Sequence, residues 1–586
     1  MRIREAGDSA LVLDVGAMRA SPLAECIDID VNARAIAVAR GVRRRAIAGV
    51  RDVVSTFRSV AVFFDPLSTD VAAVAAALHE ESDATPPASA GRIVEVPVVY
   101  GGDAGPDLAQ VAAFAGCSPE AVIERHAARA YRVFMLGFLP GFAYMGSVDE
   151  TIAAPRRATP RLRVPAGSVG IAGRETGIYP RDSPGGWQII GRTSVSMFDA
   201  GSTPPALLAP GDRVRFVPVD VGRGFLVPPK PPSGEGGTPR QADREGPPYV
   251  ADVVSGFPGA PKPPGEGGSR TEVRLEADTP ARGAARHVTV LRPGLLTTVQ
   301  DSGRWGYQDL GVSVSGPMDH VAHRLANTLV GNPPDAATLE VTWIGPELRM
   351  EQETRVAVAG ADLHATLDGA DVPPHAAVQC CSGSVLRFGD RRSGVRAYVA
   401  FDGGIAVPPV LGSRATHTVS GLGGLEGRAV KAGDCIPLGH AGGGVITHVG
   451  RGFLVPPKAP GGEGGTPRQA GHGHPTAQAA GTSGPRYRYP DRYPYEYEAV
   501  GGARLRVLPG PQAEYFAPSA LEALQRTRYT ISPQSDRMGY RLAGGAPVPS
   551  VARGEMISDA TLMGGVQLPP SGDPILLMAD RQTSGG

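Results

Sequence analysis

Between Pro155 and Thr193 the chain reads PRRATPRLRVPAGSVGIAGRETGIYPRDSPGGWQIIGRT, 39 residues in which glycine and proline interrupt every apolar run before a helical period can develop. Glycine supplies positive φ and close backbone approach, while proline fixes φ and removes an amide donor, so together they leave short strands joined by shaped turns. Such a segment cannot be an ordinary helical core element. It is expected to present a rigid backbone with exposed amides and arginines, as a binding surface does. Similar short strands and turn signals recur along much of the chain and point to β-barrels.

At 586 residues the chain is too long for one hydrophobic core and predicts about four domains. Residues 1–85 read as a small α/β unit resembling a ferredoxin-like sandwich, with strands near Ala10–Asp14, Val50–Phe57 and Val60–Asp65 and helices over Ile29–Ala48 and Thr69–Glu81. Residues 92–220 read as a barrel: an alternating strand Ile93–Tyr100, a helix from the Ser118-Pro119 cap through Tyr131, an apolar strand and turn in FMLGFLPGFAYM, the opening stretch, and a closing strand after APGD. Residues 221–285 are a Pro/Gly-rich linker. Residues 286–445 form a second strand-rich region, with a helix Met318–Val330 stopped by Gly331-Asn332-Pro333. Residues 446–500 are a low-complexity insertion, and 501–586 complete the second module. GRGFLVPPKPPSGEGGTPRQA, from Gly222, returns almost unchanged from Gly450; these copies are too short and too far apart to stack as a solenoid.

Charge and composition exclude several functions. The 58 basic and 58 acidic residues cancel, so no field favours a polyanion and nucleic acid is not an expected partner. No run of 18 apolar residues exists, and Glu5, Asp8 and Asp14 lie where a signal peptide would need an apolar core, so a cytoplasmic protein without membrane contact is expected. Five cysteines without a CxxC read as reduced and structural. Only Lys230, Lys262, Lys431 and Lys458 are lysines, against 54 arginines. There is no GxxxxGK[ST] loop and no Met-Lys-Met site for biotin, so any phosphate or carboxylate must be held by arginine and backbone amides.

Specific motifs carry a family resemblance. FMLGFLPGFAYMG, PRLRVPAGSVGIAG, TGIYP and SPGGWQIIGRT resemble allophanate hydrolase subunit 1, the Kip-type inhibitor family; PGLLTTVQDSGRWGYQDLGVSVSGPMD, GLEGR, SDRMGYRL and MADRQTSGG resemble subunit 2. The resemblance implies a mainly β protein with an α/β N-terminal domain and cyclophilin-like β-barrels in both modules, the B and C subunits of ATP-dependent 5-oxoprolinase fused in one chain. It also implies ATP with Mg2+, no biotin attached to this chain, an A-type subunit as partner, and a small-molecule amide or lactam substrate. Two alternatives stay open: a urea carboxylase-like carboxyltransferase using carboxybiotin in trans, and a kinase-inhibitor-type regulator. Family members continue beyond the TSGG motif, so an incomplete second module is expected.

Opening a lactam needs cations for phosphate, amides for a developing oxyanion and a carboxylate to direct water. The residue types assign Asp182, Asp301, Asp319, Asp536 and Asp580 as candidate catalytic carboxylates. Arg161, Arg163, Ser168, Gly170, Arg181, Gln188, Arg304, Arg537 and Arg581 are the candidate contacts to substrate or phosphate, and no metal site is assigned. His126, His320 and His323 read as helix-face or packed residues, and Trp187 and Trp305 as barrel packing.

Overall fold

The computed structural model describes residues 2–16, 28–83, 91–219, 286–440, 497–498, 502–503, 505, 507–545, 547–549, 558–569 and 571–585. The 221–285 linker and all but two residues of the 446–500 insertion lie outside them.

The N-terminal unit is an antiparallel sheet with Arg2–Glu5, Ala10–Asp14, Ser59–Phe64 and Val50–Ser55 side by side. Helices α1 (Ile29–Arg44) and α2 (Val71–Asp83) pack on one face around Leu11, Leu13, Val38, Val60, Val62 and Leu78. The alternate residues Ala10, Val12, Val54, Ala61 and Phe63 line the other face, which meets Trp305, Ala560 and Leu562 of the second module. Burial on both faces explains why SVAVFF is apolar without alternation. The strand Arg2–Glu5 was not predicted, because RIRE carries no apolar run. With it the order is that of a ferredoxin-like sheet whose last strand has moved to the front of the chain.

Seven strands close a barrel in the order Glu175–Ile178, Ala143–Gly146, Ala130–Leu136, Arg213–Pro218, Ile93–Tyr100, Gln188–Arg192 and Ser168–Ala172. Arg213–Pro218 pairs parallel to Ile93–Tyr100 and antiparallel to Ala130–Leu136, so it is the stave that closes the barrel. Helix α3 (Leu108–Ala115), which was not predicted, precedes α4 (Pro119–Ala127). The Ser118 hydroxyl caps α4 by accepting from the Ala121 amide at 3.3 Å. This helix ends four residues before Tyr131, because Tyr131 is needed in the barrel wall, where it is buried. His126 on α4 is buried inside the barrel, and Trp187 packs edge-on to Phe142 with ring centroids 5.4 Å apart.

The second module has a five-stranded sheet (Leu296–Gln300, Thr338–Thr342, Ser393–Phe401, Thr354–Asp362, Ala377–Cys380) and a six-stranded sheet (Ala370–Asp371, Ala365–Leu367, Val385–Phe388, Glu347–Met350, His287–Arg292, Cys435–Pro437). They share a core of Val288, Val299, Leu339, Leu348, Val399 and Phe401. Helix α5 (His320–Val330) lies on the five-stranded sheet through Ala322, Ala326 and Val330 and ends at left-handed Gly331, as its sequence predicts. After the insertion come α6 (Ala520–Arg526) and a small sheet of Thr530–Ile531, Gly539–Ala543, Ile575–Leu577 and Val566–Gln567.

The two modules meet through polar contacts. The buried Asp52 carboxylate accepts from the Gly306 and Gln308 amides at 2.9 and 3.2 Å, the Gly141 amide donates to the Leu310 carbonyl at 2.8 Å, and the Phe138 amide donates to Ser584 Oγ at 3.2 Å.

Candidate functional site

Five strands of the opening stretch are committed to the barrel or its flank, and this decides what its polar residues do. Arg161 gives two bonds to the buried Asp107 carboxylate, at 2.9 and 2.7 Å, and Arg157 and the Ile189 amide occupy the rest of it. Asp107, just before α3, caps nothing with its side chain and instead takes these donors. Asp182 accepts from the Ala166 amide at 2.9 Å and from Arg163 Nε at 2.7 Å, and that amide bond with Arg163 holds its carboxyl below the usual range. Ser168 and Gly170 lie buried in one barrel strand, with Gly170 against the Trp187 side chain. Gln188 donates to the Pro155 carbonyl at 2.9 Å. Arg181 stands apart: half-buried, it turns toward Gly421 of the second module.

In the second module, Asp301 binds the Gly303 amide, Ser413 Oγ and the Arg414 amide, fixing one turn to another. Arg304 is fully buried; its Nε donates to the Val410 carbonyl at 2.9 Å and one Nη to Ala415 O at 2.8 Å, while the other Nη has no partner among the described residues. Asp319 caps α5 through the Val321 and Ala322 amides. Asp536 closes its own turn with the Met538 and Gly539 amides.

Arg537 and Asp580 come together from 43 residues apart in a two-bond pair, 2.9 Å each, and Arg537 also binds Glu340 and the Gly316 carbonyl. Glu340, inside the strand Thr338–Thr342, further accepts from Arg396, Tyr398 Oη and the Met318 amide. Beside this cluster His417 is buried, and burial holds its imidazole below its ordinary value. Arg581 is buried one residue on; desolvation brings its guanidinium down to about 10, and it donates to Gln308 Oε1 at 3.2 Å. The structure therefore joins Asp580 to Arg537 with Arg581 alongside, and leaves Asp182, Asp319 and Asp536 at separate corners.

A cleft of about 2340 Å³ opens between the N-terminal sheet and the second module, with Arg51, Trp305, Ser315, His320, Asp559 and Arg581 on its walls. The Arg51 guanidinium sits 5.1 Å from the Trp305 ring centroid and binds Asp65 at 2.7 Å. Trp305 thus packs on the N-terminal sheet and faces the cleft, where barrel packing was expected. His320, at the first turn of α5, opens onto the cleft at its outer edge; desolvation, with His323, Arg324 and Arg51 nearby, brings its pKa down to about 4, so it is neutral at pH 7. Ser315 has φ 58°, and its buried Oγ has no partner among the described residues. This wall offers cations for a carboxylate or phosphate, a neutral imidazole to exchange a proton, and a hydroxyl with spare hydrogen-bonding capacity. His320 and Ser315 were missed because their use depends on the other module being opposite them.

The comparisons agree with this two-part architecture. Residues 1–208 match the family model described as carboxyltransferase domain, subdomain C and D, and residues 310–586 that of carboxyltransferase domain, subdomain A and B. The chain is 59% identical over 139 residues to the B subunit of 5-oxoprolinase from Escherichia coli O157:H7, covering 24% of this chain and 63% of that protein, so it spans less than two thirds of that relative. It is 39% identical to the B subunit of the Bacillus subtilis strain 168 enzyme, covering 37% of this chain and 92% of the relative. To the C subunit of 5-oxoprolinase from Escherichia coli K12 it is 34% identical, covering 51% of this chain and 81% of the relative. The crystal structure of TTHA0988 superposes with a TM-score of 0.68 at 32% identity, covering 100% of this chain and 94% of that one. With its B-like and C-like regions in tandem, the chain belongs to the carboxyltransferase-domain family that includes the B and C subunits of 5-oxoprolinase.

Proposed function

We propose that this chain supplies the B-type and C-type parts of an ATP-dependent 5-oxoprolinase, which opens 5-oxo-L-proline to L-glutamate together with a separate A-type subunit. The observation that carries the reading is the covalent union of regions similar to both subunits, docked through the buried polar contacts of Asp52, Gly141 and Phe138. The cleft is the proposed lactam site: Arg51 and Arg581 face the substrate carboxylate, and neutral His320 exchanges a proton at the ring nitrogen as the amide opens. ATP, when bound, supplies activation of the lactam carbonyl by phosphoryl transfer. The donor set fits that chemistry, because arginines and a hydroxyl face one space. Among the described residues no group of three His, Cys, Asp or Glu side chains could hold a metal ion, so Mg2+ would arrive with nucleotide phosphates. The test is to mix the purified chain with an A-type subunit, 5-oxo-L-proline and MgATP. ADP and glutamate should appear together, with neither from this chain alone; glutamate without ATP consumption, or no turnover in the mixture, refutes the reading.

Both matching family models are described as carboxyltransferase domains, which favours carboxyl transfer as the second reading. No lysine lies in a Met-Lys-Met site, so carboxybiotin would be carried on another protein. Transfer of labelled carboxylate from that carrier to urea or another amide would replace the first reading with this one.

A further inference from the structure

Arg181 differs from its neighbours in having no bonded acceptor among the described residues. Arg157 and Arg161 hold Asp107, and Arg163 holds Asp182. Arg181 is desolvated enough that its pKa falls, and Asp182 is the acid near enough to oppose that fall. Asp182 itself is engaged by Arg163 and the Ala166 amide. Among the described residues none of the Arg181 N–H donors has an acceptor, and its Nε is fully buried. A guanidinium carries five donors in a fixed fork, and partly desolvating all of them without an acceptor is unfavourable.

The group it faces belongs to the other module. A β-carbon built on Gly421 would stand 3.7 and 4.0 Å from the two terminal nitrogens of Arg181, so the guanidinium lies in van der Waals range of that position. Gly421 closes a turn whose amide donates to the Thr418 carbonyl at 3.3 Å, in a loop where Gly421, Gly423 and Gly424 all have positive φ. Thr418, Val419 and Gly421 are exposed, and the Thr418 and Val419 amides donate to no group among the described residues. The base of the loop is anchored, with the Ser420 amide and hydroxyl on His417 Nδ1. A fork without acceptors therefore stands beside an open glycine turn with spare amides, the pairing that oxyanions take in backbone concavities.

We propose that Arg181 of the barrel module and the Thr418–Gly421 turn of the second module together form a binding site for an oxyanion, a phosphoryl or carboxylate group. The site does not depend on the lactam assignment, since it lies on other residues than the cleft. The two sources are separated by titrating the full chain, in a chloride buffer, with inorganic phosphate and with acetate, by calorimetry and by thermal shift. One of the two should bind and raise the melting temperature. Arg181→Ala should weaken that binding about tenfold or more while leaving the melting temperature without anion unchanged or higher, because no internal bond is lost. In Gly421→Asp the new side chain tolerates positive φ better than most and brings a carboxylate to the fork, so the substitution should abolish anion binding in a folded protein. The proposal is overturned if neither anion binds the wild type, if Arg181→Ala binds as the wild type does, if Arg181→Ala lowers the melting temperature without anion as a structural arginine would, or if Gly421→Asp keeps wild-type affinity.

Discussion

Glu340→Gln is the substitution that most directly tests how the segment after the insertion is held. Glu340 has 1% side-chain exposure, and its carboxylate takes Arg537, Arg396, Tyr398 Oη and the Met318 amide. Arg537 reaches it across 197 residues of sequence and completes the cluster with Asp580. Glutamine keeps the volume and an acceptor but removes the charge, leaving two arginines with Asp580 as the remaining buried acid. Breaking one partner of such a network costs about 3–5 kcal/mol, against a typical domain stability of about 5–15 kcal/mol. Because the modules need not unfold together, the readout is amide hydrogen exchange in Gly539–Ala543 and Ile575–Leu577, whose protection should fall by roughly a hundred- to a few thousandfold.

The same residue predicts a pH dependence. Burial works to raise the Glu340 pKa, but Arg537 and Arg396 more than offset it, and the folded value lies below the ordinary 4.5. A depressed carboxylate pKa means that the stabilisation is complete above the unfolded value and is lost as pH falls through the folded one. The gap between wild type and Glu340→Gln should be full near pH 7 and shrink below about pH 4. Equal protection of the two proteins at pH 7, or a gap that does not close in acid, would refute the account of the cluster.

His126 gives a second acid sensitivity of the same sign inside the barrel, from a neutral ring rather than a charged pair. Thr176 Oγ1 donates to the Gly170 carbonyl and so accepts from His126 Nε2–H, leaving Nδ1 to accept from Tyr100 Oη; this neutral ring is buried with its pKa brought down to about 3. The unfolded chain therefore binds the proton first, and the barrel should lose about 1.4 kcal/mol per pH unit from this group as pH falls from about 6.5 toward 3, a slope that His126→Gln removes in urea titrations at stepped pH. At the module contact, a β-carbon on Gly137 would fall 1.9 Å from Ser584 Oγ, so Gly137→Ala should destabilise the docked C-terminal strand by about 1–3 kcal/mol, read as faster exchange at Ser584 and Gly585; unchanged exchange would show that this contact does not form.

What the sequence made legible follows from where each signal sits. The strand Ile93–Tyr100, the Ser118-Pro119 cap and the Gly331 stop are local patterns, and each stands where it was expected. The motifs DSGR, SDRMG and ADR were legible as Asp and Arg in tight turns, but not that Arg537 pairs with Asp580, because register between distant loops is a property of the packed sheet. Glu340 carried a signal that went unread: a lone carboxylate at an inward position of TLEVT demands a buried cation. Asp107 went unread because the helix after it was not predicted, and only the fold brings Arg157 and Arg161 to it. Helix α4 was overextended because Tyr131 suits helix and strand alike, and the closed barrel decided between them.

The opening stretch was expected to act as an arginine-bearing surface, and the energetics of its arginines narrow that expectation to one turn. Arg161 and Arg157 share a carboxylate with 3% side-chain exposure, so removing both would leave a buried charge without a cation, and they are tied to the barrel's own integrity. Arg163 and Asp182, 71% and 45% exposed, form a surface pair worth about 0–1 kcal/mol, which can open without consequence for the fold. Arg181 alone combines partial desolvation with no bonded acceptor, a state that is unfavourable in the free protein and is relieved by an anion from outside. A chain with so few lysines has arginine as its main cation for such a task, and of the four arginines just weighed, three already have internal carboxylates. The binding capacity of the stretch therefore concentrates at Tyr179–Asp182, where it faces the second module, so that a ligand held there would be held by both halves of the fused chain.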